Sequence, residues 1–212
     1  MNVTYDFLCT YIENKLSEQP LVLAIDGNSA SGKTTLAGKL AERFSGDVIH
    51  MDDFFLPLSL RTPERLLEAG GNVHYERFLE QIIIPLTAHR QKMSVSDTRK
   101  QSAPSIPAAP LPHLTWQRFD CSVGDFSVQP CHSSGRSLLI IEGAYSMRPE
   151  FRAAYDMSLF LSADLCTQKE RILHRNGPQR LNAFLEKWIP MENRYFDAYR
   201  IQQQCQFQMH AE

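Results

Sequence analysis

Apolar residues recur along the chain in two rhythms. Tyr5, Leu8, Ile12 and Leu16 fall at three- and four-residue intervals, which predicts one face of a leading helix. "LVLAI" at 21–25 is apolar throughout, the pattern of a strand buried on both faces in a parallel sheet. Leu36, Ala37, Leu40, Ala41 and Phe44 return to the helical interval, and Gly46 is placed to end that helix. Further short apolar runs predict strands at "DVIHM" (47–51), "SLLIIE" (137–142), "MSLFLS" (157–162) and "CQFQM" near the end. Helices are expected over 64–69, over 75–89 with a kink or end at Pro85, and over 164–174. Another is expected through "LNAFLEKWIPMENRYFDAYRI", interrupted at Pro190. "LTWQRFDCSVGDFSVQP" reads as one or two short strands turning near Gly124. Strands alternating with helices indicate an α/β fold with a mostly parallel sheet.

The rhythm fails between residues 94 and 114. Ser, Ala and Pro dominate there, and Pro104, Pro107, Pro110 and Pro112 exclude regular structure. The stretch is expected to be an insertion or loop within one domain spanning 1–212, since neither side looks complete alone.

Composition narrows the function classes. Of the 212 residues, 43% are hydrophobic and 22% charged, as in an ordinary globular domain. With 22 Lys+Arg against 24 Asp+Glu the net charge is -2, which gives no general reason to expect a nucleic-acid or membrane surface. The start lacks the basic and apolar regions of a signal peptide, and no apolar run approaches the length that spans a bilayer. Five scattered cysteines without a C-x-x-C pair argue against a disulfide framework and a zinc site. The expectation is a cytoplasmic protein with reduced thiols. The oligomeric state is left open, a homodimer being one option.

The loop after the first strand carries the most specific chemistry. Gly27-Asn28-Ser29-Ala30-Ser31-Gly32-Lys33-Thr34 fits G-x-x-x-x-G-K-[ST], between a predicted strand and a predicted helix. Gly27 and Gly32 permit the backbone to aim successive N–H groups at a phosphate, and the helix N-terminus adds partial positive charge. Lys33 can reach the β- and γ-phosphates, and the Thr34 hydroxyl can ligate Mg²⁺. The nucleotide-binding candidates are therefore this octapeptide and Thr35.

Three further segments fit phosphoryl transfer. In "VIHMDDFFLP", Asp52 and Asp53 follow the second strand, where ligands of open α/β sheets bind. An acid there can accept or orient the proton of an attacking hydroxyl and help hold Mg²⁺; Asp52 is the candidate, with Asp53 as the alternative. "LLIIEGAYS" ends the third apolar strand in Glu142, a candidate Mg²⁺ contact, and Gly143 would leave space beside the phosphates. "CTQKERILHRNGPQRL" supplies Arg171, Arg175 and Arg180, which could neutralise charge on the transferring group, Arg175 being favoured over Arg171. Asn176-Gly177-Pro178 offers a hinge.

With "GNSASGKTT", "HMDDFF", "IIEGAYS" and "RILHRNG" in that order, the chain resembles the uridine kinase and phosphoribulokinase-like group of phosphate-loop kinases, which includes nicotinamide riboside kinases. The resemblance implies a P-loop NTPase fold of about five parallel strands flanked by helices, with an arginine-bearing lid. It implies ATP and Mg²⁺ on the donor side and a hydroxyl of a nucleoside or nucleoside-like vitamin as acceptor. Lys33 and Thr34 match the phosphate-loop pair, Asp52 the acid that handles the acceptor hydroxyl, Glu142 the metal-side acid, and Arg175 and Arg180 lid arginines. The chain departs from the group in three places. "GGNVHYERF" has His74 where an aspartate usually grips sugar hydroxyls, residues 94–114 replace a short link, and "FLEKWIPMENRYF" has no counterpart in the nucleoside kinases proper. Trp116, Arg118, Tyr75 and Tyr145 are candidates to line the acceptor pocket. A regulatory GTPase would need N-K-x-D, and the only "NK", Asn14-Lys15, precedes the loop. A nucleotide-binding relative without kinase activity is the other reading.

Lys33→Ala should abolish phosphoryl transfer and leave the fold intact, because this lysine serves phosphates rather than packing. The expected loss of transition-state stabilisation is ~2.7–4 kcal/mol. Near-wild-type turnover in the variant would remove the loop from the mechanism.

Overall fold

The apolar run at 21–25 has no polar face because its strand has neighbours on every side. In the computed structural model, residues 1–97, 110–120 and 123–211 are described. The chain runs α1 (Tyr5–Leu16), β1 (Leu21–Gly27), α2 (Lys33–Phe44), β2 (Asp47–His50), α3 (Pro63–Leu67), α4 (Tyr75–Phe78) and α5 (Ile84–Asp97). It continues with β3 (Thr115–Asp120), β4 (Asp125–His132), β5 (Leu138–Glu142), β6 (Met157–Ser162), α6 (Leu165–Ala183), α7 (Ile189–Tyr199), α8 (Ile201–Gln204) and β7 (Phe207–His210). Five strands form one sheet in the order β2-β5-β1-β6-β7, parallel at every pairing. β1 lies in the middle, with Ile25 opposite Glu142 of β5 and Gly27 opposite Leu161 of β6. The expected α/β architecture with five parallel strands is therefore present.

Alternation along β1 divides the core between the two faces of the sheet. Leu21, Leu23 and Ile25 pack with Leu8 and Ile12 of α1 and with Leu36 and Leu40 of α2. Val22 and Ala24 face the opposite layer, with Phe54, Phe78, Ile82 and Tyr195. The first layer fixes the helix that begins at Lys33. The second supports the elements that wall the site.

Several local expectations change. The helical run does not end at Pro85: a π turn, Leu79–Ile83, interrupts the regular helix just ahead of it, and α5 continues to Asp97. Pro190 follows the same pattern, behind a π turn at Phe184–Trp188 and near the start of α7. A wider turn ahead of each proline accommodates a residue that has no N–H to donate and whose ring crowds the preceding turn. The stretch 94–114 is also more structured at its ends than its composition suggests. Residues 94–97 belong to α5, and Leu111 and Leu114 are buried in the second layer of the core. Residues 98–109 lie outside the described residues. The left-handed residue after α2 is Ser45 (φ 52°), and Gly46 follows with its N–H bonded to Ala41 O at 2.8 Å.

β3 and β4 form an antiparallel hairpin apart from the main sheet. Arg77 ties it down: one guanidinium nitrogen donates to Gln117 O at 2.5 Å, the other to Asp53 O at 2.6 Å, between the rings of Phe54 and Phe126. Cys9, Cys131, Cys166 and Cys205 are free thiols. Among the described residues, no helix is long and apolar enough to cross a membrane.

Leu114 is 2% exposed, so Leu114→Ala should cost about 2–5 kcal/mol in urea unfolding. Val128 on the hairpin is 97% exposed, and Val128→Ala should stay within about 0.5 kcal/mol. Equal costs would show that the segment after the insertion carries no core.

Candidate active site

β1 can deliver its loop only because it ends in glycine. Gly27 has φ 144°, and a Cβ there would sit 2.0 Å from the Leu161 carbonyl oxygen. The Asn28 N–H then donates to that same oxygen at 3.3 Å, and the Asn28 side-chain oxygen accepts from the Ala163 N–H at 3.3 Å. The loop is thus fastened along β6 before it turns. Gly32, at φ 98°, opens α2 without a side-chain cap, which leaves the helix N-terminus to other acceptors. The Ser31 hydroxyl is buried without a hydrogen-bond partner, as a donor reserved for a ligand would be. Lys33 curls back over the loop, its ammonium donating to Gly27 O and Asn28 O at 2.8 Å each.

The strand ends beside the loop bring the metal-side residues together. Glu142 closes β5 and is 3% exposed. Its Oε1 accepts from the Thr34 hydroxyl at 3.0 Å and lies 2.5 Å from His50 Nδ1 at the end of β2. That hydrogen bond to Glu142 raises the His50 pKa above the ordinary histidine value. Thr34 and Glu142 in contact, with Asp52 lining the same cleft, offer only oxygen donors, the kind a hard divalent ion takes. Among the described residues no group of three or more His, Cys, Asp or Glu could hold a metal alone. A Mg²⁺ here would take its remaining ligands from phosphates and water, its usual habit. Gly143 has φ 136°, and a Cβ there would meet Met51 at 2.7 Å, so packing as well as the cleft requires glycine.

Asp52 and Asp53 share a 3₁₀ turn, Met51–Phe54, and face opposite ways. Asp52 is exposed to the open cleft. The desolvation that the surrounding protein imposes, with the Glu142 charge second, raises its pKa above the usual carboxylate range. Asp53 is buried, accepting from Trp116 Nε1 at 2.8 Å and lying 3.5 Å from Arg118 Nε. Trp116 and Arg118 are therefore occupied in holding the hairpin and do not line the cleft. Tyr75 is absent from it too, clasped between the guanidinium groups of Arg65 (3.8 Å) and Arg148 (3.9 Å). His74 caps α4 by accepting the Arg77 N–H. Of the four acceptor-pocket candidates, only Tyr145 lines the cleft.

Arg171, Arg175 and Arg180 all line the same cleft, whose volume is about 1200 Å³. At the loop itself the contact is made by Arg171 rather than Arg175. Arg171 donates to Ala30 O at 3.3 Å and Ser31 O at 3.4 Å, whereas Arg175 Nε binds the Asn176 side chain at 2.8 Å. One turn of helix separates them, and the nearer one meets the loop. Gly177 breaks the helix with φ 78° and ψ 171°, at the expected hinge.

Two acids passed unnoticed in the sequence. Asp26 is fully buried at the end of β1 and accepts from Gly27 N, Met147 N and the Tyr195 hydroxyl. Its signal was present, since "IDG" repeats the strand–acid–glycine order of "IEG". Glu192 on α7 accepts from Ser29 N at 2.9 Å and Ser29 Oγ at 2.5 Å. Burial raises its pKa, partly opposed by the Lys33 charge.

No protein-family model matches the chain, and no curated protein matches it. Solved structures do. A possible uridine kinase from Bacillus stearothermophilus superposes with a TM-score of 0.65 at 21% identity, covering 97% of this chain and 96% of its own. A candidate fructose transport system kinase from Silicibacter sp. TM1040 gives 0.61 at 19% identity, covering 98% and 99%. YFH7 from Saccharomyces cerevisiae, a candidate P-loop kinase with a circular permutation, gives 0.60 at 11% identity, covering 97% of each chain. Over nearly its whole length the chain has the fold of the phosphate-loop kinases.

Proposed function

We propose that the protein is an ATP-dependent kinase that transfers the γ-phosphoryl group to a hydroxyl of a small molecule, a nucleoside or a nucleoside-like vitamin, in the cytoplasm. The observation that carries this reading is convergence. Ser29 to Thr35 of the phosphate loop, the acids Asp52 and Glu142, and three arginines of α6 line one cleft. In this reading the loop N–H groups and Lys33 hold the triphosphate, and Arg171, Arg175 and Arg180 offset the charge that spreads over the transferring group. Thr34 and Glu142 would hold a Mg²⁺, which would supply further charge neutralisation. Asp52 takes the proton of the acceptor hydroxyl as that oxygen attacks the γ-phosphorus and the bond to the departing ADP oxygen breaks. Its raised pKa suits the role, since the same surroundings that disfavour its charge strengthen it as a base. Tyr145 and Phe119 give the acceptor side aromatic walls, which favour a flat ring attached to the hydroxyl-bearing part.

An ADP-release assay with ATP and Mg²⁺ over nucleosides, vitamins and free sugars tests the reading. Release with a nucleoside-like acceptor is expected. Release only with free sugars would replace the acceptor class, and none with any hydroxyl compound would leave a nucleotide-binding protein without transferase activity.

Asp52→Asn should lower turnover on the order of 10²–10⁴-fold, the range for a positioned base, with far less change in ATP affinity. Asp53→Asn should be milder in turnover, because Asp53 engages Trp116 rather than the cleft. Turnover and ATP binding for both variants decide the assignment. An inactive Asp53→Asn beside an active Asp52→Asn reverses it.

A further inference from the structure

The segment without a counterpart in the nucleoside kinases turns one face toward the phosphate loop. Trp188, Glu192, Tyr195 and Tyr199 recur at helical spacing through the π turn and α7. Trp188 is half-buried on the cleft wall, and Tyr195 is fixed to Asp26. Between them the Glu192 carboxylate, 7% exposed, accepts both hydrogen bonds that Ser29 can donate. Ser29 is the third residue of the octapeptide, so a side chain of the protein occupies one backbone donor of its own anion-binding loop. The part of α6 after the Gly177 break, the π turn and α7 succeed one another without a gap to Tyr199. Arg180, Trp188 and the Glu192 contact therefore sit on one continuous helical stretch, and Arg171 and Arg175 lie across the break from it.

We propose that Glu192 is a positioning residue that senses the γ-phosphoryl group: it holds α7 on the phosphate loop, and a nucleoside triphosphate, but not a diphosphate, drives it from Ser29. Two anions compete for one loop, and the terminal phosphoryl group brings the extra charge. Lys33 is the cation that now favours the Glu192 carboxylate. Once Lys33 turns to a triphosphate, that support is withdrawn. Departure of Glu192 shifts Trp188 and Arg180, which precede it on the same helical stretch, while Tyr195 stays on Asp26, so this wall of the cleft takes its working shape only when a transferable group is present.

This inference rests on the kinase reading, and the test separates the two. With the full-length protein, Mg²⁺ and no acceptor, acrylamide quenching reports Trp188, because Trp116, the other of the chain's two tryptophans, is buried. The β,γ-imido analogue of ATP should change quenching in the wild type, and ADP should not. Titration calorimetry of E192Q should show triphosphate affinity raised about tenfold, with ADP affinity within about twofold of wild type. Equal shifts for both nucleotides, or weaker triphosphate binding, would make Glu192 a merely structural contact and overturn the proposal. The quenching comparison uses wild-type protein and decides the point even if E192Q does not fold: identical responses to the two nucleotides overturn the role of Glu192 alone. A wild-type protein that binds neither nucleotide overturns the kinase reading together with it.

Discussion

The Asp26 carboxylate lies fully buried at the end of β1, with its oxygens 2.7 Å from Gly27 N, 2.9 Å from Met147 N and 2.7 Å from the Tyr195 hydroxyl. Taking a carboxylate out of water is costly unless donors replace the lost hydration. Burial accordingly pushes its pKa upward, and these donors oppose the shift. The same burial raises the Tyr195 pKa well above the ordinary value, which keeps the phenol protonated and able to donate. Three segments distant in sequence meet at this one group: the phosphate loop, the turn after β5, and α7. Each supplies a wall of the cleft, and this one side chain, which takes no part in the proposed chemistry, joins all three, the Glu192 contact with Ser29 adding a second tie between two of them.

A similar economy governs the acceptor side. The 3₁₀ turn at Met51–Phe54 is too tight for adjacent side chains to share a face. Asp52 is sent to the cleft, and Asp53 is sent inward to the indole of Trp116. Arg77 then binds the backbone oxygen of Asp53 as well as Gln117 of the hairpin. The hairpin is fastened to the very turn that presents Asp52, so its position and that of the candidate base are set together.

What could be read from sequence was what lies close together in it. The phosphate loop is eight consecutive residues, and the apolar strands before Gly27 and Gly143 show their burial within five or six positions. The Glu192 contact joins residues 163 positions apart, and nothing near Glu192 distinguishes it from a solvent-facing helical acid. His50 was similarly silent: it is merely the last residue of a short strand until β2 is laid beside β5. Local rules reach only part of the way. Proline disturbs a regular α-helix, and at Pro85 and Pro190 the disturbance takes the form of a π turn just ahead of it, which the sequence does not specify. An average over 94–114 is polar and proline-rich, yet Leu111 and Leu114 individually face the core. The choice between Arg171 and Arg175 turned on how far along α6 the loop comes to rest, which only the tertiary placement fixes.

The position of β1 in the sheet has a consequence for how the protein is made. The two strands that flank it, β5 and β6, occupy Leu138–Glu142 and Met157–Ser162, while β1 itself ends at Gly27. During synthesis the apolar strand that precedes the phosphate loop emerges long before anything can pair with it. Parallel pairing across such a span must bear the loop-closure entropy first, which slows folding and leaves apolar surface open to association. A nascent chain that has not yet reached β6 holds every residue of the phosphate loop and none of the backbone against which Gly27 and Asn28 are packed.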